Sequence, residues 1–103
     1  MTSCETVTKD IGAPKATLEL SVRNHPGVMS HVCGLFARRA FNVDKIACVP
    51  EGDGRQSRIW LMVADDDRLP QMLRQVEKLE DVLAVVCHGG EHPLFTGLAE
   101  YAR

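Results

Sequence analysis

The chain has 103 residues, of which 45% are hydrophobic and 25% are charged, as is typical of a single small globular domain. It contains 12 Lys and Arg residues and 14 Asp and Glu residues, so its formal net charge is -2. A domain that binds nucleic acid usually has a basic excess and aromatic stacking platforms. This composition, with 5% aromatic residues, argues against that class.

The cysteines and the N-terminal segment indicate the cellular compartment in which we expect the protein. No CxxC pair and no zinc-ribbon spacing is found among Cys4, Cys33, Cys48 and Cys87. Residues 1–14 lack the apolar core of a secretory signal, and no apolar run approaches the length of a membrane span. We therefore expect reduced thiols in a cytoplasmic protein that has neither a membrane partner nor a nucleic-acid partner.

The first half of the chain alternates between strand and helix patterns. Residues 1–15 are polar and predict a flexible N-terminal arm. Alternating apolar residues predict a strand over Thr17–Arg23, and apolar residues at helical spacing predict a helix over Val28–Ala40. A second strand is predicted over Phe41–Pro50, with a bulge near Asp44-Lys45 because the apolar phase slips there.

The second half repeats the pattern. Glu51–Gly54 predicts a hairpin turn, and the nearly continuous apolar run Ser57–Ala64 predicts a central strand. Asp65-Asp66-Asp67 predicts the capped start of a second helix with Pro70 in its first turn. Its apolar stripe comprises Leu69, Met72, Leu73, Val76 and Leu79. Val82–Cys87 predicts the last strand, and Leu94–Arg103 predicts a frayed turn or short helix.

This order of elements predicts an α+β fold, the ferredoxin-like βαββαβ sandwich, with a four-stranded antiparallel sheet and two helices on one face. The domain would span residues 16–88 and the C-terminal tail residues 89–103. The uncovered face would show Thr17, Glu19 and Ser21 beside an apolar set on the third strand. Such a face predicts a partner surface, unless the N-terminal arm or the C-terminal tail covers it.

The loop Asn24-His25-Pro26-Gly27 leads from the first strand into the first helix. The N–H groups of Gly27, Val28 and Met29 are donors at the positive end of the helix dipole, which favours a carboxylate or phosphate. Asn24 and Asn42 each offer a donor and an acceptor, so a ligand with a carboxylate and an ammonium group could use them together. The spacing alone favours a simpler alternative, in which Pro-Gly makes the turn and Asn24 caps the helix.

Other site chemistries find less support in the residues. A metal chaperone of this shape needs two thiolates in the first loop, which has no cysteine. A small hydrolase would need a general base, and His25 and His31 are interpreted as solvated or supporting residues. His88 and His92 have H-x-x-x-H spacing, but Gly89-Gly90 interrupts any helix, so we predict no metal site.

Several segments resemble the ACT domain family. The run from Leu18 to Pro50 contains RNHPGVM and HVCGLFARRAFNV, and it is followed by RIWLMV and QMLRQVEKLEDV. These segments are similar, more narrowly, to the small regulatory subunits of acetohydroxyacid synthase (acetolactate synthase) of the short isozyme I type. The resemblance extends from about Ala16 to Cys87.

The resemblance implies a non-catalytic regulatory subunit with no cofactor of its own. Thiamine diphosphate, magnesium and FAD would sit in a catalytic large subunit, which this chain would activate. The chain would form a homodimer that binds L-valine at its interface and confers feedback inhibition of branched-chain amino-acid biosynthesis. Valine would contact the loop before the first helix of one chain and the second strand of its neighbour.

The resemblance and the loop chemistry together predict a set of site residues. The predicted valine-binding residues are Asn24, His25, Pro26, Gly27, Val28, Met29, Asn42 and Ile46, with Val28 and Ile46 as apolar walls. Trp60 and Met62 on the uncovered sheet face are the predicted docking surface for the large subunit, and no catalytic residue is predicted. Two alternatives stay open: an ACT-type amino-acid sensor for another enzyme or a transcription factor, and a small hydrolase that uses the loop to bind an anion.

Overall fold

The structure is a computed structural model that describes residues 14–102. Strands and helices follow the predicted order, and the segment predicted as a frayed turn or short helix after the last strand is a helix. The elements are β1 (Lys15–Arg23), α1 (Val28–Arg38), β2 (Val43–Glu51), β3 (Gln56–Ala64), α2 (Leu69–Glu77), β4 (Val82–Gly89) and α3 (Pro93–Ala102). Most of the predicted N-terminal arm, residues 1–15, lies outside the described residues.

The four strands form one antiparallel sheet in the order β2-β3-β1-β4, so β1 and β3 are central. This topology confirms the predicted ferredoxin-like βαββαβ fold. The register of β2 against β3 shifts between Val43 and Lys45, which confirms the bulge predicted near Asp44. The β2–β3 turn is closed by the Gly54 N–H, which donates to the Glu51 carbonyl at 2.8 Å.

The core lies between the sheet and the helices α1 and α2. Leu18 pairs with Leu61 and Leu20 pairs with Ile59, so alternate residues of β1 and β3 point to one side of the sheet. The core residues are Ala16, Leu18, Leu20, Val22, Val28, Val32, Leu35, Phe36, Phe41, Ile59, Leu61, Val63, Leu69, Met72 and Val76, of which Phe41 lies in the connection between α1 and β2. Burial of one such large side chain stabilises the fold by about 1.5–3 kcal/mol.

The start of α2 differs from the prediction. The N-cap residue is Arg68, which makes no side-chain cap, and no acidic residue lies in the first turn. Asp66 instead accepts a hydrogen bond from the Arg68 N–H at 2.9 Å, so the acidic run forms the turn before the helix. Pro70 does lie in the first turn, as predicted, where a proline costs no helical hydrogen bond.

The sheet face opposite α1 and α2 is called the second face. Its residues include Thr17, Glu19, Arg58, Trp60, Met62, Val86 and His88. One end of it is covered by the C-terminal tail, because Thr17 is fully buried, Met62 is 7% exposed and Phe95 of α3 is 1% exposed. The structure therefore confirms the alternative in which the C-terminal tail covers part of this face. Further along, Val49 and Val86 stay about half exposed.

None of the helices among residues 14–102 combines the length and the apolar character that crossing a bilayer requires.

Candidate functional site

The loop between β1 and α1 lies at one end of the sheet. Gly27 is the N-cap of α1 and has φ 91°, a left-handed conformation that residues with a side chain rarely adopt. A Cβ at this position would meet nothing within 4 Å, so the backbone angle and not the available space requires glycine. The Val28 N–H donates to the His25 carbonyl at 3.3 Å and closes the turn.

The N-terminus of α1 presents free donors to solvent. The Gly27 and Met29 N–H groups form no hydrogen bond within residues 14–102, and α1 has no side-chain cap. Of the three donors that the sequence predicted, only Val28 is engaged. Two free N–H groups at the positive end of a helix of 11 residues favour a bound anion such as a carboxylate.

Asn24 fixes this loop to the β2–β3 turn. Its side-chain amide donates to the Gly54 carbonyl at 2.8 Å, and its backbone N–H donates to the Arg55 carbonyl at 2.9 Å. The simpler alternative is therefore wrong in having Asn24 cap α1, whereas Pro26-Gly27 does make the turn. The Asn24 Oδ1 atom accepts no hydrogen bond from the described part of the chain, which leaves an acceptor next to the free N–H groups.

His25 is bound on both of its ring nitrogens. Nδ1 lies 2.6 Å from the Pro26 carbonyl oxygen, and Nε2 forms an ion pair with Asp81. Both partners are acceptors, so the doubly protonated ring suits this position best, and the Pro26 carbonyl and then Asp81 raise the pKa of His25. While both ring nitrogens contact these acceptors, neither is placed to take a proton from a substrate.

Asp81 and its neighbours clamp the loop from the side opposite Asn24. The Arg23 N–H donates to the Asp81 carbonyl at 2.9 Å, and the Arg23 guanidinium donates to the Glu80 carbonyl at 2.7 Å. His31 Nδ1 lies 3.9 Å from the Asp81 carboxylate. Local sequence carries no signal for this clamp, because Asp81 is 56 residues away from His25.

The other predicted ligand residues lie at the far end of the sheet. Asn42 precedes Val43, which pairs with Val63, whereas Arg23 pairs with Gln56. Seven residues of extended strand separate these positions on β3, a distance of about 23 Å. Asn42 donates to Asp44 at 2.7 Å, and Ile46 is 38% exposed. One chain thus brings Asn24 to Met29 together but does not bring Asn42 or Ile46 to them.

The predicted docking pair is unequal in exposure. Met62 is nearly inaccessible while α3 is in place, and Trp60 is partly exposed. The Trp60 ring lies 6.2 Å from the His92 ring, and its Nε1 atom is buried without a hydrogen-bond partner within the described residues. Val49 and Val86 are about half exposed and are more accessible than either member of this pair.

Solved structures define the class. The chain is similar to the ACT domain of GTP pyrophosphokinase from Chlorobium tepidum, with TM-score 0.61 and 15% identity over 75% of this chain and 88% of that chain. It also matches the crystal structure of the acetolactate synthase small subunit from Thermotoga maritima. That match has TM-score 0.64 and 36% identity and covers 71% of this chain and 46% of that chain. The fold is therefore that of an ACT domain.

The sequence places the chain more narrowly within this class. The family described as AHAS small subunit-like ACT domain matches residues 18–84, and the chain belongs to this family. Over 84 residues it is 57% identical to the acetolactate synthase isozyme 1 small subunit of Escherichia coli K12, which covers 82% of this chain and 88% of that one. This match confirms the resemblance to the short isozyme I type.

A longer relative matches over part of its length. The putative acetolactate synthase small subunit of Mycobacterium tuberculosis H37Rv is 36% identical over 89 residues, 84% of this chain and 53% of that one. The chain thus spans about half of that relative and most of the Escherichia coli one.

Proposed function

We propose that this chain is the non-catalytic regulatory subunit of an acetolactate synthase and works in the cytoplasm. It pairs into a homodimer, docks on the catalytic large subunit and activates it. It binds L-valine and thereby mediates feedback inhibition of branched-chain amino-acid biosynthesis. Thiamine diphosphate, magnesium and FAD then belong to the large subunit, and this chain contributes no catalytic residue.

The observation that carries the valine proposal is the fixed loop before α1. The free N–H groups of Gly27 and Met29 suit a carboxylate, and the Asn24 Oδ1 atom suits an ammonium group. Both groups of an α-amino acid therefore find complementary partners within one short loop. The clamps on Arg23 and His25 hold the loop in place before the ligand arrives, which reduces the entropy lost on binding.

The distance between the two groups of predicted ligand residues supports a dimeric site. Asn42 and Ile46 lie too far from Gly27 to reach a ligand as small as valine within one chain. A second copy that places the start of its β2 against the loop completes the site with an amide and an apolar wall. An apolar wall discriminates by about 1–3 kcal/mol per methylene, so selectivity over leucine and isoleucine is partial.

Feedback inhibition further requires that valine bind more tightly to one state of the holoenzyme than to another, because equal affinity for both shifts nothing. The two forms whose affinity for valine is to be compared are the isolated homodimer and the homodimer bound to the large subunit.

The hydrolase alternative loses support because both ring nitrogens of His25 already contact acceptors and Asp81 is already paired. An ACT-type sensor for another enzyme shares the loop geometry. Membership of the small-subunit family favours acetolactate synthase as the target over that alternative.

The proposal is tested by calorimetric titration of the full chain with L-valine, L-leucine, L-isoleucine and D-valine, followed by reconstitution with the large subunit. We expect saturable binding that prefers L-valine, increased acetolactate synthesis on mixing, and loss of that activity as valine is added. Activation without any valine response contradicts the sensor assignment. Valine binding without activation favours a sensor for another target.

A further inference from the structure

A cluster of potential metal ligands lies on the second face, at the end opposite the ligand loop. It consists of Glu19 from β1, His88 from β4 and His92 just before α3, and one donor atom of each lies within 4.8 Å of the others. His88 Nε2 is 2.7 Å from Glu19 Oε1, and the His88 and His92 rings are 5.3 Å apart in an edge-to-face arrangement. All three side chains are partly buried.

The sequence predicts no metal site at His88 and His92, because Gly89-Gly90 interrupts any helix between the two histidines. The structure adds a third ligand, Glu19, which is 69 residues from His88. Two imidazoles and one carboxylate form a donor set that Zn²⁺ binds, with the fourth position left to water. Cys87 takes no part, because it pairs with Leu18 and so points to the core side of the sheet.

The surrounding charges orient Glu19 for this role. The Arg58 guanidinium donates to Glu19 Oε2 at 2.7 Å, so Oε1 is the oxygen that faces the histidines. One oxygen of the carboxylate thus contacts His88 and the other accepts from Arg58, so the position of the carboxylate is fixed on both sides. Arg58 also pairs with Glu51 at 2.6 Å, and the three charged groups together carry one net negative charge.

The arrangement requires a small adjustment to admit a metal ion. A tetrahedral Zn²⁺ holds its donor atoms about 3.3 Å apart, so His88 and Glu19 must separate by roughly half an ångström. The ion then replaces the proton between them. His92 Nδ1 now accepts from the Leu94 N–H at 3.1 Å, and that hydrogen bond is lost whichever ring nitrogen binds the metal. Metal binding is therefore coupled to the first turn of α3.

We propose that Glu19, His88 and His92 bind one divalent transition-metal ion of the Zn²⁺ type, which links the start of α3 to β1 and β4. The ion joins three segments that are distant in sequence. It thereby holds α3 over Thr17 and Met62. This site shares no residue with the proposed valine site, which follows the C-terminal end of β1, whereas Glu19 is the middle residue of that strand.

The chain offers its own probe, because Trp60 is the only tryptophan and lies 6.2 Å from His92. The experiment titrates the tag-free, chelator-treated full chain with Co²⁺, follows Trp60 fluorescence and the visible Co²⁺ spectrum, and then adds Zn²⁺. We expect Co²⁺ to quench Trp60 fluorescence, with saturation at one equivalent of metal. The visible spectrum should be that of Co²⁺ bound by nitrogen and oxygen ligands. We also expect Zn²⁺ to reverse the quenching.

Variants assign the ligands. H92Q and H88Q should each weaken Co²⁺ binding by at least about tenfold, since even outer-shell changes cost that much. The matched control H31Q removes an exposed histidine at the other end of the sheet and should leave the titration unchanged. If H88Q fails to fold by circular dichroism, E19Q serves in its place.

Three results would overturn the proposal. The first is no saturable quenching at millimolar Co²⁺. The second is an unchanged titration in H92Q. The third is a strong near-ultraviolet thiolate band, which would assign the metal to the exposed thiols of Cys33, Cys48 or Cys87.

Discussion

The two ends of β1 are held in different ways. At its C-terminal end, the chain from Arg23 to Gly27 is clamped by the β2–β3 turn on one side and the α2–β4 connection on the other. At its N-terminal end, the start of α3 is held by the hydroxyl of Thr17 and the buried ring of Phe95. The first end is a fixed loop suited to ligand binding, and the second is a helix that can be released by breaking few contacts.

The largest expected effect concerns the fixed end. Replacing Gly27 with Asp adds a carboxylate at the position proposed for the valine carboxylate, and φ 91° is unfavourable for any residue with a side chain. We expect G27D to abolish the valine response and to leave activation of the large subunit largely intact. The measurement is acetolactate synthesis by the reconstituted enzyme with and without valine.

The matched control for G27D is G52D. It adds the same charge at another glycine with positive φ, in the β2–β3 turn. We expect it to retain the valine response. Feedback inhibition that persists in G27D would contradict the site assignment.

The second-largest expected effect concerns the docking of α3 near the N-terminal end of β1. Phe95 is 1% exposed, and truncating a buried phenylalanine to alanine usually costs about 3–5 kcal/mol. We expect F95A to detach α3 from the sheet and to leave the rest of the domain folded, because detaching one helix costs less free energy than unfolding the whole domain. Faster amide hydrogen exchange across residues 93–102 and a red shift of Trp60 emission would report it. Y101A, at a residue that is 90% exposed, is the control and should change neither.

A smaller effect distinguishes what the hydroxyl of Thr17 contributes to stability from what the volume of its side chain contributes. Thr17 is fully buried, donates to the Gly90 carbonyl at 2.9 Å and accepts from the His92 N–H at 3.2 Å. T17V keeps the shape but leaves both backbone groups without a partner, at a cost of about 1–3 kcal/mol. Urea denaturation should show this loss in T17V and a smaller one in T17S. Equal stability of T17V and the parent chain would mean that the hydroxyl contributes nothing.

The smallest effect is the pH dependence of the loop clamp. The pKa of His25 is raised from 6.5, so its contribution to stability is complete below about pH 6.5 and is lost as the pH rises through the folded value. The titratable groups around His25 are Asp81 and Glu80, which both raise its pKa, and His31, whose ring centre lies 6.3 Å away; Arg23 donates to the Glu80 carbonyl beside them.

D81N should reduce this dependence without abolishing it, because the Pro26 carbonyl still contacts the ring. We expect the free energy of unfolding of the parent chain to fall as the pH rises above about 6.5, and that of D81N to fall less. A parallel fall in both would show that the Asp81 pair does not carry the effect.

Local patterns predicted the strands and helices because periodicity is a property of neighbouring residues. The alternation of Leu18, Leu20 and Val22 and the stripe from Leu69 to Val76 both match the observed burial. The slip near Asp44 was visible for the same reason, since a bulge changes the phase within the strand itself.

The parts that sequence alone missed depend on contacts between distant residues. Asn24 binds Gly54 and so does not cap α1, and His25 binds Asp81 from the connection before β4. The cover over Met62, which the sequence left as one of two alternatives, rests on contacts of Thr17 with Gly90 and His92, more than 70 residues further along. No local pattern signals such pairs, because the topology that joins them is known only once the sheet is assembled.

The central place of β1 also has a consequence for the order of assembly during synthesis. β1 is made first, yet both of its partners, β3 and β4, are made later, and β4 is the last strand of the sheet. Only the β2–β3 hairpin joins strands that are neighbours in the chain. A nascent chain can therefore form that hairpin early, whereas β1 keeps one open edge until translation has passed Gly89.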